Sequence, residues 1–153
     1  MLIWNHGLKY KRQIISIINN YEGFNVLSVH KAAYKKLSDL VDVLYEKEKV
    51  SPIHISNKVK HLKKLDNKVA LILFENKKRE LKTYGKGDLK TVQCERVKAL
   101  KDLIRNQFNT REKGMRTEAH VIHASDDQKE AESLLRFFNL SRLTRKPHKE
   151  NYG

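Results

Sequence analysis

Apolar residues recur along the chain with two periods, and the switches between them predict its elements. The apolar start, residues 1–4, is followed by Tyr10, Ile14, Ile17, Ile18 and Tyr21 at helical spacing. This predicts a buried strand leading into an amphipathic helix that ends near Asn19 and Asn20. After a turn at Gly23, residues 24–29 read as a strand. Leu37, Leu40, Val41 and Leu44 fall on one face of a second helix, with Ser38 and Asp39 on the other. Ser51-Pro52 opens a third, because Ile55, Val59 and Leu62 continue at i, i+4, i+7, and it is expected to run from Pro52 to about Leu65. Residues 69–74 are apolar at every position, which predicts a central strand, either buried on both faces or covered by helices on one and packed tightly on the other.

Residues 75–90 are polar and contain Gly85 and Gly87, so a surface loop or irregular hairpin is expected there. Val97, Leu100, Leu103 and Ile104 define a fourth helix, and the polar stretch 106–117, with Gly114, reads as a long loop. A short strand over residues 119–123 comes next. Asp126 or Asp127 caps a last helix whose apolar face is Ala131, Leu134, Leu135 and Phe138. The order of elements predicts an α+β fold of the ferredoxin-like, split βαβ kind: a mainly antiparallel sheet of about four strands with helices packed on one face. Residues 1–140 form the domain. Residues 141–153, with Arg142, Arg145, Lys146 and Lys149 against Glu150, are expected to be a mobile basic tail.

Charge narrows the partners. Lys and Arg supply 32 of the 153 residues and Asp and Glu 18, a formal net charge of +14. That points to an anionic partner, whether nucleic acid, nucleotide, phosphorylated glycan or acidic membrane surface, although a lysine-coated surface also follows from composition alone. The longest apolar run, residues 69–74, falls far short of the roughly 20 residues of a spanning helix. The N-terminus lacks a signal peptide's apolar stretch. A single cysteine, Cys94, forms neither an internal disulfide nor a Cys-rich zinc site. A cytoplasmic protein without a membrane span is expected.

Chemistry concentrates in His120-Val121-Ile122-His123-Ala124-Ser125-Asp126. Side chains alternate along a regular strand, so His120 and His123 are expected on opposite faces, poorly placed to share a metal. A histidine at a strand end, beside a hydroxyl and a carboxylate at a helix N-terminus, is placed to attack phosphorus as a neutral imidazole. No His-x-x-x-His helix, paired acidic motif or Gly-x-x-x-x-Gly-Lys-Ser/Thr loop is present.

The run His123-Ala124-Ser125-Asp126, preceded by Val121-Ile122 and followed by a helix ending Phe137-Phe138, resembles the nucleoside diphosphate kinase signature His-Gly-Ser-Asp. Upstream, Ile104-Arg105-Asn106-Gln107-Phe108 resembles that family's Ile-Arg-Gly-Asp-Phe, Tyr45 and Pro52 match its tyrosine and proline on either side of a short turn, and residues 68–74 match its central strand. The resemblance spans residues 1–140, mostly at apolar positions. It implies His123 as phosphate acceptor, Ser125 as a nearby hydroxyl, Asp126 in the turn and helix cap, Arg105 as a phosphate clamp and Tyr45 close to the phosphates. It also implies a nucleoside triphosphate or other phosphorylated small molecule as partner, Mg²⁺ arriving with the nucleotide, and a homo-oligomer. Arg116, in the polar stretch before the strand, is a further phosphate candidate. The chain departs from the family in six places, two of them in length and loop: the segment before Arg105 lacks the family's usual nucleotide-loop sequence, and the stretch between Arg105 and His123 is a few residues longer. Asn5-His6-Gly7 stands where the family has Lys-Pro-Asp, leaving His6 or Lys9 as substitutes, and Ile53 takes the place of the base-stacking phenylalanine. His120 replaces an asparagine, and Leu134 the glutamate that orients the histidine. The expected function is a phosphotransferase relaying a phosphoryl group through His123. The alternatives are an inactive kinase-like module that holds nucleotide or nucleic acid on its basic surface, and a structural or assembly subunit.

Overall fold

The computed structural model describes residues 1–46 and 51–144. Its main sheet is built from β1 (Leu2–Ile3), β2 (Phe24–Ala33), β3 (Lys68–Asn76) and a last strand, Ile122–His123, in the spatial order β2, β3, β1, last strand, with every neighbouring pair antiparallel. A 3₁₀ turn, Asn5–Tyr10, and α1 (Lys11–Asn20) connect β1 to β2. Since β3 pairs antiparallel with both, β1 and β2 run parallel with β3 between them, which is a split βαβ unit. Two helices, α2 (Leu37–Tyr45) and α3 (Pro52–Leu62), lie between β2 and β3. Beyond β3 come a hairpin of β4 (Leu81–Tyr84) and β5 (Thr91–Cys94), then α4 (Glu95–Phe108). A two-residue-arm hairpin follows, β6 (Arg111–Glu112) and β7 (Met115–Arg116), then the last sheet strand, β8 (Ile122–His123), and α5 (Gln128–Phe137). This is a mixed α+β fold consistent with a ferredoxin-like class.

Helices cover the sheet on both faces, where the sequence pattern predicts one. Alternation along the central strands divides the core. Ile3, Ala70, Ile72 and Ile122 pack with Ile14 and Ile18 of α1 and Leu100 and Ile104 of α4. Leu2, Val69 and Leu71 pack on the other side with Leu40, Val41, Leu44 and Tyr45 of α2, Leu62 of α3 and Leu134 of α5. Residues 69–72 are all buried, as a strand covered on both sides requires. Cys94 is a buried free thiol that accepts a hydrogen bond from Asn76 Nδ2 at 3.3 Å.

Three segments differ from the sequence reading. The polar stretch 106–117 is not one loop: α4 continues to Phe108, whose ring stacks on Tyr10 at 4.7 Å, and β6 and β7 follow. Lys113 and Gly114, with φ of 50° and 78°, turn that hairpin with two left-handed residues, the conformation a tight two-residue turn needs. Only Ile122 and His123 of the strand expected over 119–123 enter the sheet ladder. At the C-terminal end, Ser141–Thr144 form a 3₁₀ turn, and the rest of the expected basic tail lies outside the described residues. Among the described residues no helix is long and apolar enough to cross a membrane.

The 3₁₀ turn after β1 passes close to the last strand. Trp4 N–H donates to Val121 O at 2.9 Å, and a Cβ on buried Gly7 would meet the same carbonyl oxygen at 2.8 Å. Gly7→Ala is therefore expected to destabilise the protein by about 2 kcal/mol through overpacking, read as a lower urea midpoint.

Candidate functional site

The register of β8 sets the direction of His123. It lies opposite Leu2, and Ile122 opposite Ile3, so His123 shares the face of Leu2 and reaches the α2 side of the sheet. There its ring meets the Tyr45 ring edge-on, with centroids 5.8 Å apart and planes at 81°. His123 is only 5% exposed, and among the described residues its imidazole makes no hydrogen bond. Burial, followed by the positive charges of Lys58, Lys101 and Arg105, pushes its pKa well below the usual value, so the ring is neutral at pH 7.

His120 lies on the same Tyr45 side, because the chain leaves the ladder before Val121 and strand alternation no longer applies to it. The expectation of opposite faces fails for that reason. Asn109, just past the end of α4 and 5% exposed, holds this segment with three hydrogen bonds. Its Oδ1 accepts from Val121 N–H at 3.1 Å. Its Nδ2 donates to Thr117 O at 3.0 Å and to His120 Nδ1 at 2.9 Å. Since Nδ1 accepts, the proton sits on Nε2, 3.1 Å from the Glu118 carboxylate. Glu118 is 86% exposed, so water screens its pull, whereas burial and the cations Arg105, Lys58, Arg116 and Lys101 push the His120 pKa down to about 3. His120 is thus a neutral ring with both nitrogens engaged, and His123 a neutral ring with neither.

A cavity of about 550 Å³ opens beside this pair, between α3 and residues 118–120. Ser51 caps α3 by accepting from His54 N–H, and Pro52 occupies its first turn. With Ile55, Val59 and Leu62 turned toward the core, the adjacent face presents His54, Asn57, Lys58 and His61 to the cavity. Lys58 Nζ lies 4.8 Å over the Tyr45 ring. His123 does not line the cavity. It sits behind Tyr45, and His120 is the histidine of the 118–123 segment in the wall.

The other sequence candidates fall in several places. Arg105 donates from Nη2 to Ile122 O at 3.3 Å, which puts its guanidinium beside the strand of His123. Its Nε is buried without a hydrogen-bond partner among the described residues. Arg116 is held against α4, donating to Asn106 Oδ1 at 2.8 Å with Asp102 3.7 Å away. His6 meets Ala119 O at 3.2 Å and His61 edge-on at 5.2 Å, whereas Lys9 is exposed over the Tyr10 ring, outside the cavity wall. Ser125 is not brought to this cavity. It lines a separate void of about 30 Å³ with His30, Leu71 and Leu134. Of the two capping aspartates, Asp127 caps α5, accepting from Glu130 N–H at 2.9 Å. Asp126 instead pairs with Lys101 Nζ at 3.1 Å in a largely buried ion pair, and its N–H donates to Glu130 Oε2. Leu134 is buried in the core, so no carboxylate from that position orients His123.

Asn109, Lys58, Lys101, His54 and His61 were not singled out from the sequence. The spacing of His54, Lys58 and His61, i, i+4, i+7 beside the apolar stripe of α3, is the signal that marks a second, polar face. No family model, curated protein or solved structure matches this chain. Among the described residues no group of three metal-ligating side chains is found.

Proposed function

We propose that this chain is a phosphotransferase resembling the nucleoside diphosphate kinases, which relays a phosphoryl group from a nucleoside triphosphate through His123. The observation that carries this reading is a neutral imidazole with no hydrogen bond among the described residues, set among Lys58, Lys101 and Arg105. Such a ring has a lone pair to attack phosphorus, and the fixed cations favour the charge that gathers on the transferring oxygens. One ring nitrogen bonds to the γ-phosphorus as the bond to the nucleoside diphosphate oxygen breaks. An acceptor oxygen then bonds to the phosphorus as the N–P bond breaks, its proton passes to water, and the free imidazole is restored. Mg²⁺ comes with the donor's phosphates and neutralises part of their charge. Tyr45, between His123 and the cavity, has to turn aside for the donor's phosphates to reach the ring. The match of Arg105 and Tyr45 to the family pattern supports the same reading.

The test is incubation of wild type and His123→Ala with γ-labelled ATP or GTP and Mg²⁺. Acid-labile, alkali-stable label is expected on wild type and a loss of at least a hundredfold in the variant. Label that survives in His123→Ala but disappears in His120→Ala moves the relay to His120. No label on folded wild type ends the proposal.

A second observation favours a binding module. A groove of about 570 Å³ is lined by Lys11, Lys31 and Lys68 over Leu8, Val69 and Ala70. Among the described residues none of these ammonium groups has a carboxylate within 4.0 Å. Nucleic acid held there would be released steeply by salt and would ignore His123→Ala.

A further inference from the structure

We infer that the cavity beside Tyr45 receives a phosphorylated polyol or sugar, a hydroxyl-rich anion, and not a nucleobase. This deepens the phosphotransferase reading and rests on it for the identity of the acceptor, while the chemistry of the wall stands by itself. A base needs an aromatic or guanidinium face to stack on. Among the described residues Tyr45 is the one phenylalanine, tyrosine or tryptophan in the wall, and its ring is already occupied, with Lys58 Nζ 4.8 Å from the centroid and the His123 ring edge-on at 5.8 Å. Ile53, at the position where the resemblance puts a stacking ring, is 72% exposed and outside the cavity wall.

The wall offers paired donors and acceptors instead. His54, Asn57 and His61 on α3 face His120 on the opposite side. His120 has both nitrogens engaged by Asn109 and Glu118, so recognition falls to α3: a neutral imidazole, as at His61, carries one N–H and one bare nitrogen, and the Asn57 amide carries both kinds of group, so each matches a hydroxyl, which also donates and accepts. The His61 pKa is lowered by burial and by Lys64, which keeps its ring in that neutral, two-way form near pH 7. Among the described residues of the wall Lys58 is the one Lys or Arg, placed to meet the ligand's phosphate as a point charge, and Glu118 is the one carboxylate, 86% exposed and directed to His120 Nε2 at 3.1 Å. The volume of about 550 Å³ suits a small metabolite, within the range of roughly 300–1,000 Å³ typical of such pockets.

His54 and Asn57 are exposed, so alanine there leaves the core intact and tests the pocket without unfolding the chain. Binding of glucose 6-phosphate, glycerol 3-phosphate, ADP and GDP to the whole protein is measured by calorimetry, for wild type, His54→Ala and Asn57→Ala. Each of the four is also offered to labelled phosphoenzyme. The expected result is tighter binding of at least one polyol phosphate than of either nucleotide, weakened about tenfold or more in both variants, with label passing to that compound. Tighter binding of ADP or GDP, no binding of either polyol phosphate, or polyol binding untouched by both substitutions overturns the inference. Failure of the parent reading looks different: no phosphoenzyme forms with ATP or GTP, while binding of the polyol phosphate and its loss in the variants persist.

Discussion

Asn109→Ala is expected to lower stability by about 3 kcal/mol, because it leaves one buried backbone group, one half-buried backbone group and one half-buried ring nitrogen without their partner, at roughly 1–3 kcal/mol for a buried group and less for the others. The groups are Val121 N–H, Thr117 O and His120 Nδ1, all bonded to the one amide. Truncation removes the amide without bringing in water, since the residue is 5% exposed. Asn109→Asp separates the parts of this effect. A carboxylate still accepts from Val121 N–H but has no hydrogen to give Thr117 O, and it offers His120 a charge that favours the protonated ring. The aspartate variant should therefore lose less stability than the alanine variant and raise the His120 pKa, followed by urea denaturation and by the ring proton shifts of His120. A loss under about 1 kcal/mol for alanine would mean that the segment is held elsewhere.

A fall in stability with acid is the second large effect. His120 is depressed to about 3 in the folded protein and titrates near 6.5 once unfolded. Above pH 6.5 both states leave the ring neutral and the histidine contributes nothing to the pH dependence. As pH falls below 6.5 the unfolded chain takes up a proton that the folded chain refuses, so stability drops by up to about 1.4 kcal/mol per pH unit until the folded pKa is reached. At pH 5 the loss from His120 alone is about 2 kcal/mol. His123 acts in the same direction, since burial and the same lysines and Arg105 lower its pKa as well. Urea midpoints measured from pH 7.5 to 4.5 should fall steadily, and His120→Gln should flatten that fall by the His120 share. An unchanged slope in the variant would place the titration on other groups.

The long periodic elements were readable from the chain because each buries one stripe. Helices α1 to α5 and strand β3 lie where Ile14 and Ile18, Leu40 and Leu44, Val59 and Leu62, residues 69–72, Leu100 and Ile104, and Leu134 and Leu135 put them. What escaped was set by contacts between distant residues. Helix α4 runs past Ile104 because Phe108 finds Tyr10, a partner close to one hundred positions away that leaves no periodic trace. Asn109 sits in a polar stretch where an asparagine looks like any loop residue until its three partners are known. The nearness of His120 to Tyr45 leaves no trace in the pattern, because alternation holds only within the ladder and residues 119–121 do not join it. Tyr45, Arg105 and His123 do converge, whereas Ser125 and Lys9 face elsewhere, because a motif fixes the order of side chains and not the side to which each backbone turn sends them.

The ladder that joins Leu2 to His123 ties together positions roughly 120 residues apart, the longest kind of closure a chain of this size makes and a slow one to form. β1, β2 and β3 are all synthesised well before β8, so the histidine strand is the last of the four sheet strands to become available for pairing. The imidazole therefore acquires its buried, cation-ringed setting only when nearly the whole domain has been made, and a ribosome-stalled chain ending before residue 123 would carry the α3 face without His123.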